Sequence, residues 1–166
     1  MGLDMMFAHM DKKWDFALLD LADVLGVALD RDGSIVDWNA SCERATGYSF
    51  GDVRGRCFWD FLVVPEEREP LKKVFGDLSS ARFPSRHETA WLTKSGERRW
   101  VVWHDTSIVG PDGRVEYVIG TGVDMTERKR LEEERLQLVA KAEDERRQAE
   151  QEREAARRSA LLVTSI

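Results

Sequence analysis

From Thr126 to Ile166 the chain contains neither glycine nor proline. Those two residues disfavour a helix interior most strongly, and Glu, Arg, Gln and Ala dominate the stretch. The segment is therefore expected to be one continuous helix, ~60 Å long at ~1.5 Å per residue. Between Thr126 and Arg158, ten acidic and ten basic residues cancel. The net charge of −6 thus belongs to the remainder. An acidic body argues against a nucleic-acid face and, less strongly, against binding anionic lipid.

The helix carries few apolar residues, but they are ordered. Ala142, Ala149, Ala156 and Val163 repeat every seven residues, and Leu131 and Leu138 fall on the companion positions. That is a heptad seam. Its other slots hold Arg135, Glu145 and Glu152, so the seam is marginal. A marginal coiled coil can change register, which suits a linker that transmits a signal. A solvated single helix is the alternative. Leu131, Leu138 and Ala142 are the candidate dimer contacts on residues 126–166.

The full length of 166 residues leaves room for one core before this helix. No apolar run reaches the ~18 residues of a membrane span. The opening MGLDMMFAHM has no basic segment followed by an apolar core, so no secretory signal is expected. Two cysteines, Cys42 and Cys57, cannot make a disulfide framework, and no Cys/His spacing suits a metal. A reducing, cytoplasmic location is the expectation.

Residues 1–23 read as an amphipathic helix. Trp14, Leu18, Leu21 and Leu25 follow i, i+4, i+7, i+11, and Phe7 and Met10 extend the face backwards. So wide a stripe must be buried, either on its own domain or against a second copy. Trp14, Leu18 and Leu21 are the candidate dimer contacts at this end.

Residues 24–125 hold all four prolines and nearly all the glycines. Val24–Leu29 and Ser34–Trp38 read as strands joined by Arg31-Asp32-Gly33, a hairpin signal. Ala40–Thr46 reads as a helix capped by Asn39 and ended by Gly47. Ser49 can cap a short helix ending near Gly55, and Phe58–Leu62 makes another. Glu66–Leu78 is longer, with Leu71, Val74, Phe75 and Leu78 on one face and Pro70 as a possible kink. Three strands follow, Arg86–Leu92, Glu97–Val109 and Val115–Asp124. In the second, Trp100, Val102, His104, Thr106 and Ile108 share one face; Val101, Trp103, Asp105 and Ser107 share the other. Alternation does not say which face is inner. Five strands with segregated helices make a small α+β domain.

The order and spacing of several pieces resemble the PAS domain over roughly residues 24–126. They are Gly33-Ser-Ile-Val-Asp-Trp-Asn39, Glu43-Arg-Ala-Thr-Gly-Tyr-Ser49, Gly55-Arg-Cys-Phe-Trp-Asp60, Lys94-Ser-Gly-Glu-Arg-Arg-Trp100, Gly110-Pro-Asp-Gly-Arg114 and Ile119-Gly-Thr-Gly-Val-Asp-Met-Thr126. The resemblance implies an antiparallel sheet in spatial order 2-1-5-4-3, with short helices over one face enclosing a pocket. Trp38, Cys57, Phe58, Phe61, Phe75, Trp91 and Trp103 are the candidate lining residues. It also implies that Asp124 and Thr126 form the family's hinge between the last strand and the exit helix. Bottom-up, either can cap that helix, Asp124 and Glu127 have capping-box spacing, and Arg128 is near enough to pair with Asp124.

The residues that bind the family's cofactors are not matched here. Flavin photosensors of the LOV type use a cysteine in a Gly-Arg-Asn-Cys-Arg-Phe-Leu-Gln motif. Here Gly55-Arg56-Cys57 lacks the Asn, Ala90–Trp103 lacks the flavin-contacting asparagines, and Gly122 stands at the position of the family's Gln. Oxygen-sensing haem relatives carry an axial His on the long helix; Glu66–Leu78 has none, and His87 and His104 lie on strands. Redox-sensing flavin relatives carry a Trp after the proline before the third strand, where this chain has Ser85-Arg86-His87. No resident cofactor is therefore expected, with flavin or haem as the alternatives. No Ser/His/Asp set, Walker loop or HExxH occurs, and no phospho-acceptor His follows His104. The resemblance implies a non-catalytic sensory and dimerisation module. It would relay a signal through the coiled coil to an output domain such as that of a histidine kinase. The alternative is a self-contained flavin- or haem-binding sensor of light, redox state or gas.

Overall fold

The structure is a computed structural model and describes residues 16–76 and 86–164. A short helix α1 (Ala17–Leu21) leads into strands β1 (Leu25–Asp30) and β2 (Ile35–Trp38). Four helices follow: α2 (Ala40–Thr46), α3 (Phe50–Val53), α4 (Phe58–Phe61) and α5 (Pro65–Gly76). Then come β3 (His87–Leu92), β4 (Arg98–Val109), β5 (Val115–Asp124) and the long helix α6 (Thr126–Val163). The strands form one antiparallel sheet in the order β2-β1-β5-β4-β3. The chain divides after Thr126 into two compact units.

Local chemistry explains the sharp turns. Asp30 Oδ1 accepts the backbone N–H of Asp32 and of Ser34, and Gly33 closes the β1–β2 turn at φ +80°. A Cβ at Gly33 would also lie 2.2 Å from the Trp59 ring. Only glycine meets both demands. Asn39 Oδ1 accepts Cys42 N–H, which caps α2, and also accepts Gly26 N–H from β1. One amide thus ties the helix start to the sheet. Ser49 and Asp52 form a reciprocal capping box on α3.

The helical segment covers both open sheet edges. Gly55 N–H donates to Ile35 O and Ile35 N–H to Arg56 O along β2. Leu92 N–H donates to Leu62 O along β3. Unpaired strand edges invite association with other chains, and these bonds pair part of each edge. The core fills the space between the inner sheet face and α2–α5. Ile35, Val53, Leu62, Val63, Val101 and Val118 are fully buried there. Each such side chain contributes about 1.5–3 kcal/mol.

Of the N-terminal stripe the structure describes Leu18, Leu21 and Leu25, the last within the strand expected over Val24–Leu29. The helix α1 has five residues, and Leu25 belongs to β1, because Val24 N–H already turns back to Leu19 O. Phe16 and Leu19 lie against Gly26 of β1, where a Cβ would come within 3.0 Å of the Phe16 ring. Leu18 and Leu21 are exposed, at 80% and 86%. Phe7, Met10 and Trp14 lie outside the described residues, as does Leu78.

Candidate functional site

The face of β4 that carries Val101, Trp103 and Asp105 is the inner one. Trp100 and His104, on the other face, are exposed. Opposite Trp103 and Asp105, β5 presents Gly122 and Gly120. The missing side chains leave room for the Trp103 ring, whose Cζ3 lies 2.7 Å from where a Cβ of Gly122 would stand. Trp103 packs on Trp91 of β3 at 4.5 Å between centroids, and Trp91 stacks on Trp38 of β2 at 5.5 Å. The rings thus join one edge strand to the other.

Beside this stack lies a cavity of about 280 Å³. Val27, Leu29 and Val118 form its floor, and Leu71, Pro70 and Phe75 of α5 with Phe58 of α4 form its roof. The walls are mostly apolar and aromatic. The exceptions gather toward β3 and β4: His87, Thr89 and Asp105, with Glu67 and Glu88 also lining.

These polar groups sit in an unusual setting. The Asp105 side chain is only 8% exposed, and burial pushes its carboxyl up from 3.8 to about 7. His87 Nδ1 lies 3.2 Å from Asp105 Oδ2, without the alignment of a hydrogen bond. Burial lowers the His87 imidazole below its ordinary value. Burial therefore drives both groups toward their neutral forms. Thr89 Oγ1 is buried on the same wall with no hydrogen-bond partner among the described residues. Such groups are where a ligand's polar atoms find partners.

Of the residues expected to line a pocket, the structure brings Phe58, Phe75, Trp91 and Trp103 to the cavity. Trp38 stands behind Trp91 and donates from Nε1 to Tyr48 O. Phe61 packs edge-on against Tyr48. Cys57 Sγ lies by Ser34 Oγ and Asp32 O at the β1–β2 turn. Those three do not line the cavity. Sequence reasoning missed Asp105 and Thr89 and left His87 as an ordinary strand histidine. The available signal was an aspartate on the same strand face as Trp103.

The junction of β5 and α6 is built on β4. Thr126 Oγ1 accepts Trp100 N–H at 2.9 Å and donates to Asp124 Oδ1, which also accepts Thr126 N–H. Met125 N–H donates to Trp100 O at 2.7 Å. Thr126 is 3% exposed. The cation beside Asp124 is Arg99, with Nη1 3.4 Å from Oδ2. Arg128, expected there from the sequence, lies in the first turn of α6. Arg99 sits on the neighbouring strand, a proximity that chain spacing does not show.

A family model described as PAS fold matches residues 19–130. The chain belongs to the PAS family. Its PAS domain is similar to the crystal structure of the PAS domain of a protein from Colwellia psychrerythraea. The identity is 25%, the TM-score 0.58, and the match covers 67% of this chain and 93% of that one. It is also similar to a sensory box histidine kinase/response regulator from Burkholderia thailandensis, at 18% identity and TM-score 0.56, covering 77% and 96%. A third similar structure is the PAS domain of the Cronobacter turicensis RpfR quorum-sensing receptor in complex with BDSF. There the identity is 21%, the TM-score 0.54, and coverage 63% and 95%. No curated protein matches the sequence. The structural neighbours of this PAS domain come from a histidine kinase and from another signalling receptor.

Among the described residues, no helix is long and apolar enough to cross a membrane. None of their His, Cys, Asp and Glu side chains form a group of three or more that could hold a metal ion. Trp103 fills the space of a side chain at 122, and Cys57 stands at the far turn.

Proposed function

We propose that this PAS domain binds a small ligand in the cavity and relays its presence through the hinge to α6 and an output domain such as that of a histidine kinase. The observation that carries the reading is that one strand serves both ends. Trp103 and Asp105 of β4 line the cavity. Three residues before Trp103, both backbone groups of Trp100 are bonded to Met125 and Thr126. A ligand that displaces β4 therefore acts on the first turn of α6. The cavity lies near the lower end of the ~300–1,000 Å³ typical of ligand pockets, which favours a small ligand over a macrocycle such as haem.

The same reading includes a homodimer, a cytoplasmic location and no catalysis by this chain. Leu131 and Leu138 are 56% and 68% exposed on α6, and the heptad seam would cover them against a second copy. Trp14, Leu18 and Leu21 would form a separate dimer contact at the N-terminal end.

Fusing the chain at Ile166 to a histidine-kinase catalytic region tests the relay. Autophosphorylation should change in Asp124→Ala and in Thr126→Ala while circular dichroism shows the domain folded. Unchanged output in both, with and without stimulus, would remove the hinge role. Unfolding by either would show that these residues serve stability instead.

A further inference from the structure

We propose that the cavity takes a small organic cation, an ammonium group carried on an apolar body, with Asp105 as its counter-ion. The inference rests on reading the cavity as the ligand site. Its first support is the charge of the walls. Two carboxyl side chains line the space, Glu67 from α5 and Asp105 from β4; Glu88 of β3 borders it too, but it pairs with Val102 and its side chain alternates to the opposite face from Thr89. His87 is the one further titratable lining group, and neither Lys nor Arg is among the described lining residues. β1, β5 and α4 contribute no titratable group to the lining. An anionic head would enter a poorly solvated space facing like charges with no basic partner. A cationic head meets the opposite situation.

The second support is the condition of the polar wall. Asp105 is more than nine-tenths buried, and the contact with His87 lacks hydrogen-bond alignment. Thr89 Oγ1 faces the same space, buried and without a partner. An ammonium brings several N–H donors to this end, and the Asp105 carboxylate and Thr89 hydroxyl are acceptors for them. The third support is aromatic. Trp91, Trp103, Phe58 and Phe75 line the remaining wall, and their ring faces attract a cation.

The charge state of Asp105 makes the affinity depend on pH. Burial raises its carboxyl because the ionised form has no compensating charge. A bound ammonium supplies that charge and displaces the proton. Binding should therefore strengthen by up to about tenfold per pH unit as pH rises toward 7, then level off. Protonation of His87 at low pH works in the same direction, since it opposes a second cation.

The test uses the full chain and three matched probes: phenethylammonium, 2-phenylethanol and 3-phenylpropionate. Calorimetry and tryptophan fluorescence at pH 8 should give binding in the order cation, alcohol, anion, with the first at least tenfold tighter than the second. Asp105→Asn should reduce cation affinity to about that of the alcohol. In the unaltered chain the cation's affinity should fall from pH 7 to pH 5 while the alcohol's stays flat, a check that needs no variant. Equal or tighter binding of the alcohol or the carboxylate would overturn the cation proposal and leave the cavity reading standing. No binding of any probe at millimolar concentration would overturn both.

Discussion

The Trp103 ring occupies the place of a side chain on Gly122: a Cβ there would stand 2.7 Å from Cζ3 and 2.8 Å from Cε3. The two residues face each other across the β4–β5 ladder. Glycine at 122 is therefore a packing requirement, and the cavity wall formed by Trp103 depends on it.

Gly122→Ala should destabilise the domain by about 1–3 kcal/mol, the usual cost of forcing extra volume into a packed site. Trp103 must move, and Val101 Cγ1, 2.8 Å from the same Cβ position, blocks one direction. Urea unfolding should show the loss, with a shift in tryptophan emission. A variant as stable as the parent would mean that the Trp103 position is not fixed by Gly122.

Asp105→Asn should stabilise the domain at neutral and alkaline pH. The folded carboxyl is raised from 3.8 to about 7, so the folded state holds its proton more tightly than the unfolded chain. Its contribution is fully present below about pH 4 and is lost as pH rises through about 7. The Asn variant escapes that loss. At ~1.4 kcal/mol per pH unit, its advantage should grow to several kcal/mol by pH 8. Unfolding curves between pH 4 and pH 8 measure this, and a difference that does not vary with pH would refute it.

The two thiols should differ sharply in reactivity. Cys42 is fully buried, and burial pushes its thiol far above the ordinary range. Cys57 is partly exposed. A thiol-specific chromogenic reagent at pH 8 should modify Cys57 in the native chain and both residues only after denaturation. Rapid native modification of Cys42 would show that α2 opens from the sheet far more readily than its Asn39 cap implies.

The dimer proposed through α6 gives a separate test. Replacing Leu131 and Leu138 together by Gln should weaken self-association measured by sedimentation, and Leu138→Gln alone should do less. A parent chain that stays monomeric at tens of micromolar would reject the dimer.

Much of the fold was legible because its signals are local. Asn39, Gly47 and Ser49 cap or end short helices through their own backbone neighbours, so Ala40–Thr46 stands with the bounds expected. Strand alternation placed Val101, Trp103 and Asp105 together. Periodicity could not assign that face to the interior, because Trp100 makes the opposite face look equally apolar. The cavity was only half legible for a related reason. Large aromatics announce themselves in a sequence, yet whether Phe61 turns to Tyr48 or to the sheet depends on packing between elements distant in the chain. Asp105 was passed over because an aspartate on a strand is ordinarily solvated. Here it is buried between His87 of β3 and Gly120 of β5. Leu25 fits the stripe of the first helix and the strand Val24–Leu29 alike, since an i, i+11 match counts equally for a residue that the chain has already turned into a strand.

Coupling between the cavity and the start of α6 is tested most directly by amide hydrogen exchange, residue by residue, in the parent chain and in Asp105→Asn. The substitution alters β4 inside the cavity, five residues from Trp100. If β4 carries the signal, exchange at Trp100, Met125 and Thr126 should change several-fold along with the amides around Asp105. Thr126→Val, which removes the hydroxyl that accepts Trp100 N–H, should abolish the response at the hinge and leave the response at the cavity. Exchange that changes around Asp105 while Trp100, Met125 and Thr126 keep their parent rates would contradict the relay.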